Sequence, residues 1–336
     1  MPKKNNAENG PTLHEPVMVT EVLDYLNPER AKGGTFIDAT TSTGGHATEI
    51  ARRLGHDGKL IGLDLDERAL EIAKDRLAEL SPAVKLFKAN YGDMRAVLET
   101  EGDRGADGIL IDLGFSSFQI DDPSRGFSFM KDGPLDMRMS RDGDLTAEKI
   151  VNESPFEELK SIISRYGEER WADGIAREIE DRRRKKRITT TGELVETIEA
   201  ALPKGEKARR GNHPATKTFQ ALRIAVNDEL TNIDRGLEAA FDCLKPGGIM
   251  VVISYHSLED RKVKRFFSHK EKECICPPDL PICRCDKQSE AEILTKGAVR
   301  PSEEEVENNP RARSARLRSA KKIAEFPDSS SRTAIT

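Results

Sequence analysis

The chain has 336 residues, 36% hydrophobic and 34% charged, with a formal net charge of −5. This length suffices for one large domain or two ordinary ones, and the negative charge excludes a simple polycation. No apolar run approaches the roughly 18 residues of a membrane span, and residues 1–12 lack the apolar core of a signal peptide. We therefore predict a cytoplasmic protein without a membrane segment.

Short apolar strands alternate with amphipathic helices over the first third of the chain. The predicted strands cover residues 35–39, 59–63, 84–87 and 108–112, and the predicted helices cover 20–26, 47–54, 67–80 and 94–100. Because strand and helix alternate four times at short spacing, we predict a parallel, doubly wound α/β sheet.

From residue 144 to residue 181 the pattern is helical, without intervening strands. Predicted helices cover 155–166, 169–181 and 191–201, so we predict an all-helical insert over residues 125–210. The sheet then resumes with a helix over 218–244, a turn at 245–248, a strand over 249–253, a helix over 258–267 and a last strand over 315–323. We expect residues 1–12 and 326–336 to be disordered.

The turn after the first strand is rich in small residues. Residues 40–46 read T-T-S-T-G-G-H before a helix, so backbone N–H groups can approach a ligand there. The G-x-G-x-x-G motif of dinucleotide sites is absent, and the looser S-adenosylmethionine turn fits in part. Asp64 ends the second strand, where a carboxylate can accept both hydroxyls of a ribose. Alternatively Asp64 caps the next helix, a role that Asp66 could fill instead.

The loop that follows the fourth strand combines polar residues with four aromatic rings: Phe115, Phe118, Phe127 and Phe129. Open α/β sheets place their ligands in such loops, at the carboxyl ends of buried strands. An irregular solvated loop has no need of large apolar rings. We therefore interpret residues 107–139 as the floor of an active site.

Several longer motifs resemble those of one known family. They are G-G-H at 44–46, D-L-G-x-S-S at 112–117, R-G-F-S-F at 125–129, G-P-L-D-M-R-M at 133–139, Y-G-E-E-R at 166–170, H-P-A-T at 213–216, S-x-H-S-L-E-D-R at 254–261 and N-P-R-A-R-S at 309–314. Over residues 13–322 the chain resembles the bacterial MraW (RsmH) methyltransferases. These enzymes methylate the exocyclic amino nitrogen N4 of a cytidine in the decoding region of 16S ribosomal RNA.

The resemblance implies a Rossmann-like, S-adenosylmethionine-dependent methyltransferase sheet with an inserted helical domain. The methyltransferase domain would cover residues 13–124 and 211–325, and the insert over 125–210 would bind RNA. The implied cofactor is S-adenosylmethionine, and the implied partner is 16S ribosomal RNA in the small ribosomal subunit. Whether the protein forms a homodimer stays open.

The resemblance also implies a set of cofactor-binding residues. Asp64 suits the ribose, Tyr91 can lie on the adenine ring, and Asp112 with Gln119 can bond the adenine edge or the methionine end. Tyr91 is alternatively a core ring, and Gln119 an ordinary loop amide. The full implied set is Gly44, Gly45, His46, Asp64, Tyr91, Asp112 and Gln119.

Ser42, Ala47 and Phe118 stand where the family usually has Gly, Ser and Pro. We expect these departures to affect cofactor affinity and not the fold. The turn around Ser42 is rich in hydroxyl groups, which suggests that its own hydroxyl compensates by bonding the methionine carboxylate.

Methyl transfer to a cytosine amino group requires acceptors that draw the nitrogen lone pair out of conjugation. Asp112, Ser116 and loop carbonyl groups are our candidate acceptors. His256 follows a later strand and is a candidate proton acceptor. Alternatively, the His256 ring fixes the following turn.

Six consecutive basic residues stand at the end of the predicted insert helices: Arg182, Arg183, Arg184, Lys185, Lys186 and Arg187. They suit an RNA phosphate backbone, although such a run is often only a solvated face. Arg311, Arg313, Arg316 and Arg318 form a second candidate contact, or alternate outward on an edge strand.

Four cysteines lie within twelve residues, at Cys274, Cys276, Cys283 and Cys285. Four thiols at this spacing could close a tetrahedral structural zinc site, although the family does not require one and C-x-C pairs are less usual ligands than C-x-x-C. Cys243 lies on an apolar helix face and is expected in the core.

Two other functions are compatible with parts of the sequence. A ribosome-assembly or RNA-binding factor that lost turnover is suggested by Ser42 and Ala47. A DNA amino-methyltransferase would carry a Pro-Pro-aromatic loop after the fourth strand, where this chain has Leu113-Gly114-Phe115. The sequence therefore favours the RNA methyltransferase.

Overall fold

The computed structural model describes residues 16–80, 83–114, 120, 122–203, 205–206, 211–277, 284–285 and 287–323. The segments predicted to be disordered, 1–12 and 326–336, lie outside the described residues. None of the helices in the described part is long and apolar enough to span a membrane.

Within the described residues, one seven-stranded sheet forms the centre of the fold, in the order β3-β2-β1-β4-β5-β7-β6. The strands are β1 (Thr35–Asp38), β2 (Lys59–Asp64), β3 (Ala83–Lys88), β4 (Ala106–Asp112), β5 (Leu244–Ser254), β6 (Ala291–Ile293) and β7 (Arg316–Lys322). The first five strands pair in parallel, whereas β7 runs antiparallel to both β5 and β6. This mixed sheet confirms the predicted Rossmann-like methyltransferase fold class, with the antiparallel strand as an addition.

Helices cover the sheet and form a separate layer beside it. They are α1 (Val19–Leu26), α2 (Gly45–Leu54), α3 (Glu67–Leu77), α4 (Met94–Thr100), α5 (Ala147–Glu153), α6 (Phe156–Gly167), α7 (Ala172–Lys185), α8 (Thr191–Ala201), α9 (Thr216–Asn227), α10 (Glu229–Cys243), α11 (Ser257–Glu271) and α12 (Glu303–Asn308). Strand β6 and helix α12 were not predicted from the sequence. The predicted turn at 245–248 lies within the bounds of β5, where the pairing with β4 skips these four residues and Gly247 has φ 83°.

Alternate residues of the central strands supply two hydrophobic cores. Phe36 and Leu110 face α1, α2 and α3, whereas Ile37 and Ile109 face α4, α10 and α11. Side chains on a strand alternate between its two faces, so strands buried on both faces are apolar throughout. Each fully buried side chain of this size stabilises the fold by about 1.5–3 kcal/mol. This two-sided burial fixes the carboxyl ends of the strands.

A third core joins α5 to α8 into one helical unit with α9. Leu159, Ile175 and Leu194 contribute from the insert, and Phe219 and Leu222 contribute from α9. Helix α9 lies beyond the boundary predicted at residue 210, so the packing of the helical unit extends past the predicted insert.

The single helix predicted over 218–244 is wrong. Asp228 adopts a left-handed backbone with φ 46° and separates α9 from α10. On either side of this break, α9 packs with the helical unit and α10 packs on the sheet.

The interpretation of β7 as an edge strand is also wrong, because β7 lies between β5 and β6. Arg316 and Arg318 both bond the carboxylate of Asp260 on α11, at 3.0 Å and 2.7 Å. These two arginines therefore stabilise the packing of α11 on the sheet.

Candidate active site

A cavity of about 360 Å³ lies at the carboxyl ends of β1, β2, β4 and β5. Its walls come from the turn after β1, from residues that follow the other three strands, and from α9. From β1 the sheet continues to one side with β2 and β3, and from the neighbouring β4 it continues to the other side with β5. Ligands of open α/β sheets bind at such a switch point.

Asp64 holds the turn between β1 and α2. Ser42 donates its backbone N–H to Asp64 Oδ2 at 2.8 Å, and Asp66 donates its N–H to Asp64 Oδ1 at 2.8 Å. Burial raises the pKa of Asp64 to about 6, against the opposing effect of these donors. The cap of α3 is Asp66, which accepts from the N–H of Arg68 at 3.2 Å. Asp64 thus lines the cavity without being needed as that cap.

The two glycines of this turn have different surroundings. Gly44 has φ 83°, and a Cβ there would lie 3.4 Å from Ala73 of α3. Gly45 lines the cavity, and a Cβ there would lie 3.1 Å from Pro16. Gly44 therefore shapes the turn from behind, whereas Gly45 allows the cavity wall to pack closely.

Two buried hydroxyl groups of the same turn, Ser42 Oγ and Thr43 Oγ1, have no hydrogen-bond partner among the described residues. Both residues line the cavity. A buried polar group without a partner costs about 1–3 kcal/mol. A polar ligand in the cavity would offset that cost.

Asp112 ends β4 and is held by residues that follow the two neighbouring strands, β1 and β5. Its N–H donates to Thr40 Oγ1 at 2.7 Å, and its Oδ1 accepts from the Tyr255 hydroxyl at 2.8 Å. Burial raises the pKa of Asp112 to about 7, and the bond from Tyr255 acts against this rise. Asp112 can therefore gain or lose a proton near neutral pH.

His46 faces the other oxygen of Asp112. Its Nε2 lies 2.8 Å from the Val17 carbonyl, which can only accept, so Nε2 carries the proton and Nδ1 has a lone pair. That Nδ1 lies 3.7 Å from Asp112 Oδ2. Burial lowers the pKa of His46, which keeps the ring neutral near pH 7.

Tyr91 lines the cavity and also packs against α10. A Cβ at Gly236 would lie only 2.1 Å from the Tyr91 ring, so the ring rests on this glycine. The Tyr91 ring is thus packed in the sheet core on one side and forms part of the cavity wall on the other. Its contact with an adenine ring stays a prediction.

His256 occupies the N-cap of α11. Its Nδ1 accepts from the N–H of Glu259, while Glu259 Oε2 accepts from the N–H of Tyr255 at 2.7 Å. Nδ1 therefore carries no proton, and Nε2 lies 3.1 Å from Glu259 Oε1 outside hydrogen-bonding geometry. This arrangement matches the interpretation that His256 fixes the turn, although the ring also lines the cavity.

Sequence reasoning did not assign Tyr255, Gln220 and Arg223 to the site, yet all three line the cavity. Asp38, the acid that ends β1, lies behind the turn, and its Oδ2 has no partner among the described residues. Tyr255 directly follows β5, which is the position that signals a ligand site. Gln220 and Arg223 are polar residues three positions apart on a helix whose other face is apolar, a weaker signal.

A model of the MraW methylase family matches residues 11–323. The chain belongs to the MraW methylase family. It is 51% identical over 310 residues to the ribosomal RNA small subunit methyltransferase H of Symbiobacterium thermophilum, covering 92% of this chain and 96% of that protein. The protein of the same name from Carboxydothermus hydrogenoformans is 49% identical over 311 residues, with 93% and 98% covered. These matches confirm the predicted family.

Two residues predicted for the site, the candidate acceptor Ser116 and the implied cofactor residue Gln119, lie outside the described residues. The departure at Ser42 has a clear structural consequence. Ser42 adopts φ 49°, a left-handed conformation that favours glycine. The serine is thus accommodated with backbone strain.

Most of the basic run is engaged within the helical unit. Arg182 bonds Glu196, Lys186 bonds Glu193, and Arg187 bonds Glu148 and Glu153, all at 2.6–2.7 Å. The other contacts of the run are Arg183 with the Val151 carbonyl at 2.8 Å and Arg184 with Glu180 and Asp181 at 3.3 and 3.4 Å. These acids offset much of the positive charge that an RNA backbone would meet.

Three of the four clustered cysteines lie in the described residues, and Cys283 lies outside them. The Sγ atoms of Cys274, Cys276 and Cys285 all lie within 4.8 Å of one another. The pKa of Cys285 is lowered to about 6 because the N–H groups of Ile275 and Lys287 donate to its sulfur.

Proposed function

We propose that this protein transfers a methyl group from S-adenosylmethionine to the exocyclic amino nitrogen N4 of a cytidine in 16S ribosomal RNA. Membership of the MraW methylase family supports methyl transfer, and the names of the relatives support a substrate in the small ribosomal subunit. The observation that carries the proposal is the convergence of Asp64 and Asp112, from two strands, on one cavity at the switch point of the sheet.

The residues around the cavity fit the parts of S-adenosylmethionine. Asp64 would accept the ribose hydroxyls, Tyr91 would lie on the adenine, and the hydroxyls of Ser42 and Thr43 would bond the methionine carboxylate. When bound, the cofactor supplies a methyl group already activated by its positive sulfonium. The carboxylate of Asp112 favours that positive charge within a site of low dielectric constant.

Asp112 is the residue that we assign to proton acceptance. Its Oδ2 would accept a hydrogen bond from the amino group, drawing the nitrogen lone pair out of conjugation with the ring. The same atom can take the released proton, because the pKa of Asp112 is about 7. Tyr255 is a positioning residue, since its hydroxyl fixes Oδ1 and leaves Oδ2 directed toward His46.

The RNA would reach the cavity past the short helical turn Pro310–Ser314. Arg311 lines the cavity, and Arg313 is exposed on the same turn. One guanidinium group in the cavity wall and one exposed on the same turn suit the phosphates that flank a target base. The basic run at 182–187 would contribute a weaker, more distant contact, because acids of the helical unit already bond most of it.

Mapping of modified cytidines in 16S ribosomal RNA tests the proposal. Cells lacking this protein should lose N4 methylation at one cytidine, and wild-type protein should restore it. The Asp112→Asn variant should not restore it, whereas the Arg52→Gln variant, exposed on α2 outside the cavity, should. An unchanged modification map in the deleted strain would refute the assignment of the substrate.

An assembly factor without turnover is the second candidate, and the strain at Ser42 is the observation that favours it. Calorimetry separates the two functions. Micromolar or tighter binding of S-adenosylmethionine by wild-type protein supports the enzyme, whereas no detectable binding supports the assembly factor.

A further inference from the structure

The loop between α11 and β6 has a closed base but no hydrophobic core among its described residues. Glu290 donates its N–H to the Lys270 carbonyl at 2.8 Å, which joins the two ends of the loop. The described loop residues 272–277, 284–285 and 287–289 are all exposed or half-buried. Because none of these described residues is buried, apolar burial does little to hold their conformation, and a cross-link would stabilise it.

Three cysteine sulfurs converge in this loop. Cys274 Sγ and Cys285 Sγ are 3.6 Å apart, and Cys276 Sγ lies within 4.8 Å of both. A disulfide would require about 2.05 Å, so Cys274 and Cys285 are not bonded to each other. Tetrahedral zinc with Zn–S bonds of about 2.3 Å places neighbouring sulfurs about 3.8 Å apart. The spacing of this pair matches a shared metal ion.

Each of the three sulfurs accepts at least one backbone hydrogen bond. Ile275 donates its N–H to Cys285 Sγ at 3.3 Å, Cys276 donates to Cys274 Sγ at 3.4 Å, and Arg284 donates to Cys276 Sγ at 3.3 Å. Such donors stabilise negative charge on sulfur, and the thiolate is the form that binds metal. The described backbone on both sides of the loop thus donates to all three sulfurs.

We propose that Cys274, Cys276 and Cys285 bind one structural Zn²⁺ ion that holds the loop between α11 and β6. Binding displaces protons from any of the three groups that are still thiols, and no oxidation is involved. The three cysteines lie outside the cavity that contains Asp112. The ion therefore acts on the local order of the loop and not on methyl transfer.

Metal analysis of the full chain, expressed in zinc-supplemented medium and desalted under reducing conditions, tests the site. Elemental mass spectrometry should find about one zinc per chain in the wild-type protein. The Cys274→Ser and Cys285→Ser variants should lose it, and Cys243→Ala is the matched control that should keep it. Cys243 is buried in the sheet core, outside the loop. Iron in place of zinc would overturn the assignment of the metal.

Two further measurements distinguish a zinc site from a disulfide and from loosely bound metal. Cobalt added to metal-free wild-type protein should give the intense visible bands of tetrahedral coordination with sulfur-to-metal charge transfer. Removal of zinc should accelerate tryptic cleavage after Lys272 or Arg284, while leaving the affinity for S-adenosylmethionine unchanged. Absence of bound metal with no cobalt spectrum would refute the proposal. A thiol titration of the denatured, unreduced chain that finds fewer than five thiols would also refute it, because that result indicates a disulfide.

Discussion

Tyr255→Phe should make methyl transfer depend on a higher pH. The substitution removes the hydroxyl that donates to Asp112 Oδ1 at 2.8 Å and leaves the ring in place. That bond lowers the pKa of Asp112, which burial raises to about 7. The pKa of Asp112 should therefore rise in the variant, and a larger fraction of the carboxyl should be protonated at neutral pH.

The size of the effect follows from the strength of the bond. A hydrogen bond to a charged group contributes about 1.5 kcal/mol or more, which moves the midpoint of the pH profile upward by about one pH unit. Wild-type Asp112 is about half ionised at pH 7, given its pKa of about 7. With the midpoint one unit higher, about a tenth would be ionised, so activity at pH 7 should fall about fivefold.

The assay is methyl transfer to small ribosomal subunits, followed from pH 6 to pH 9.5. With both substrates below saturation, kcat/KM reports the ionisation of the free enzyme. Wild type and variant should converge at the highest pH. Tyr25→Phe, at the end of α1, is the matched control and should retain the wild-type profile. A variant with reduced activity and an unmoved midpoint would refute the role of Asp112 as the ionising group.

Four other outcomes are expected. Asp64→Asn should weaken S-adenosylmethionine binding at least tenfold, roughly 1.4 kcal/mol, with an unchanged circular dichroism spectrum; equal affinity in calorimetry would contradict the ribose assignment. Ser42→Gly should raise the free energy of unfolding by up to about 1 kcal/mol, since φ 49° favours glycine, and should change cofactor affinity by less than about tenfold; a larger gain would favour the assembly factor. Replacing residues 182–187 with Gln should reduce the slope of log K against log salt for RNA binding. Six independent phosphate contacts would reduce that slope by roughly 4, and we expect a clearly smaller reduction because acids of the protein already bond most of the run. A full reduction would show that the run binds phosphates. The folded pKa values of Asp38, Asp64 and Asp112 are about 6, 6 and 7, above the unfolded value of about 3.9. Between about pH 4 and pH 7 the folded state therefore binds more protons than the unfolded state, so the free energy of unfolding measured in urea should fall as the pH rises over this range. A free energy of unfolding that does not change with pH would count against buried carboxyl groups at these positions.

The sheet was predictable because its strands follow a simple rule. Residues such as Ile37 and Ile109 lie in apolar runs buried on both faces, and each run ends in a carboxylate at the ligand edge. Local periodicity was sufficient to find β1 to β4 and most of the insert helices. It could not find β6, whose three residues pair, among the described residues, with β7 alone, at partners 27 to 31 positions further along the sequence.

The candidate site was predictable where a residue ends a strand and less so where tertiary packing brings it in. Asp64 and Asp112 follow from strand ends alone. His256 follows a strand too, but its capping of α11 depends on the side chain of Glu259, which the sequence pattern does not orient. The sequence pattern also does not show which acids bond the basic run, because residues such as Glu148 and Glu196 come from other helices.

The position of Arg223 shows why the helical unit and the sheet form one site. Phe219 and Leu222, on the same helix, are buried in the core of the helical unit, while Arg223 reaches the cavity. Arg223 also forms a two-point ion pair with Glu229, at 2.7 and 2.8 Å, and Glu229 begins the helix that packs on the sheet. Breaking a buried pair of this kind costs about 3–5 kcal/mol. The helical unit therefore cannot reorient freely against the sheet, and an RNA that contacts either part meets a cavity whose walls are already in place.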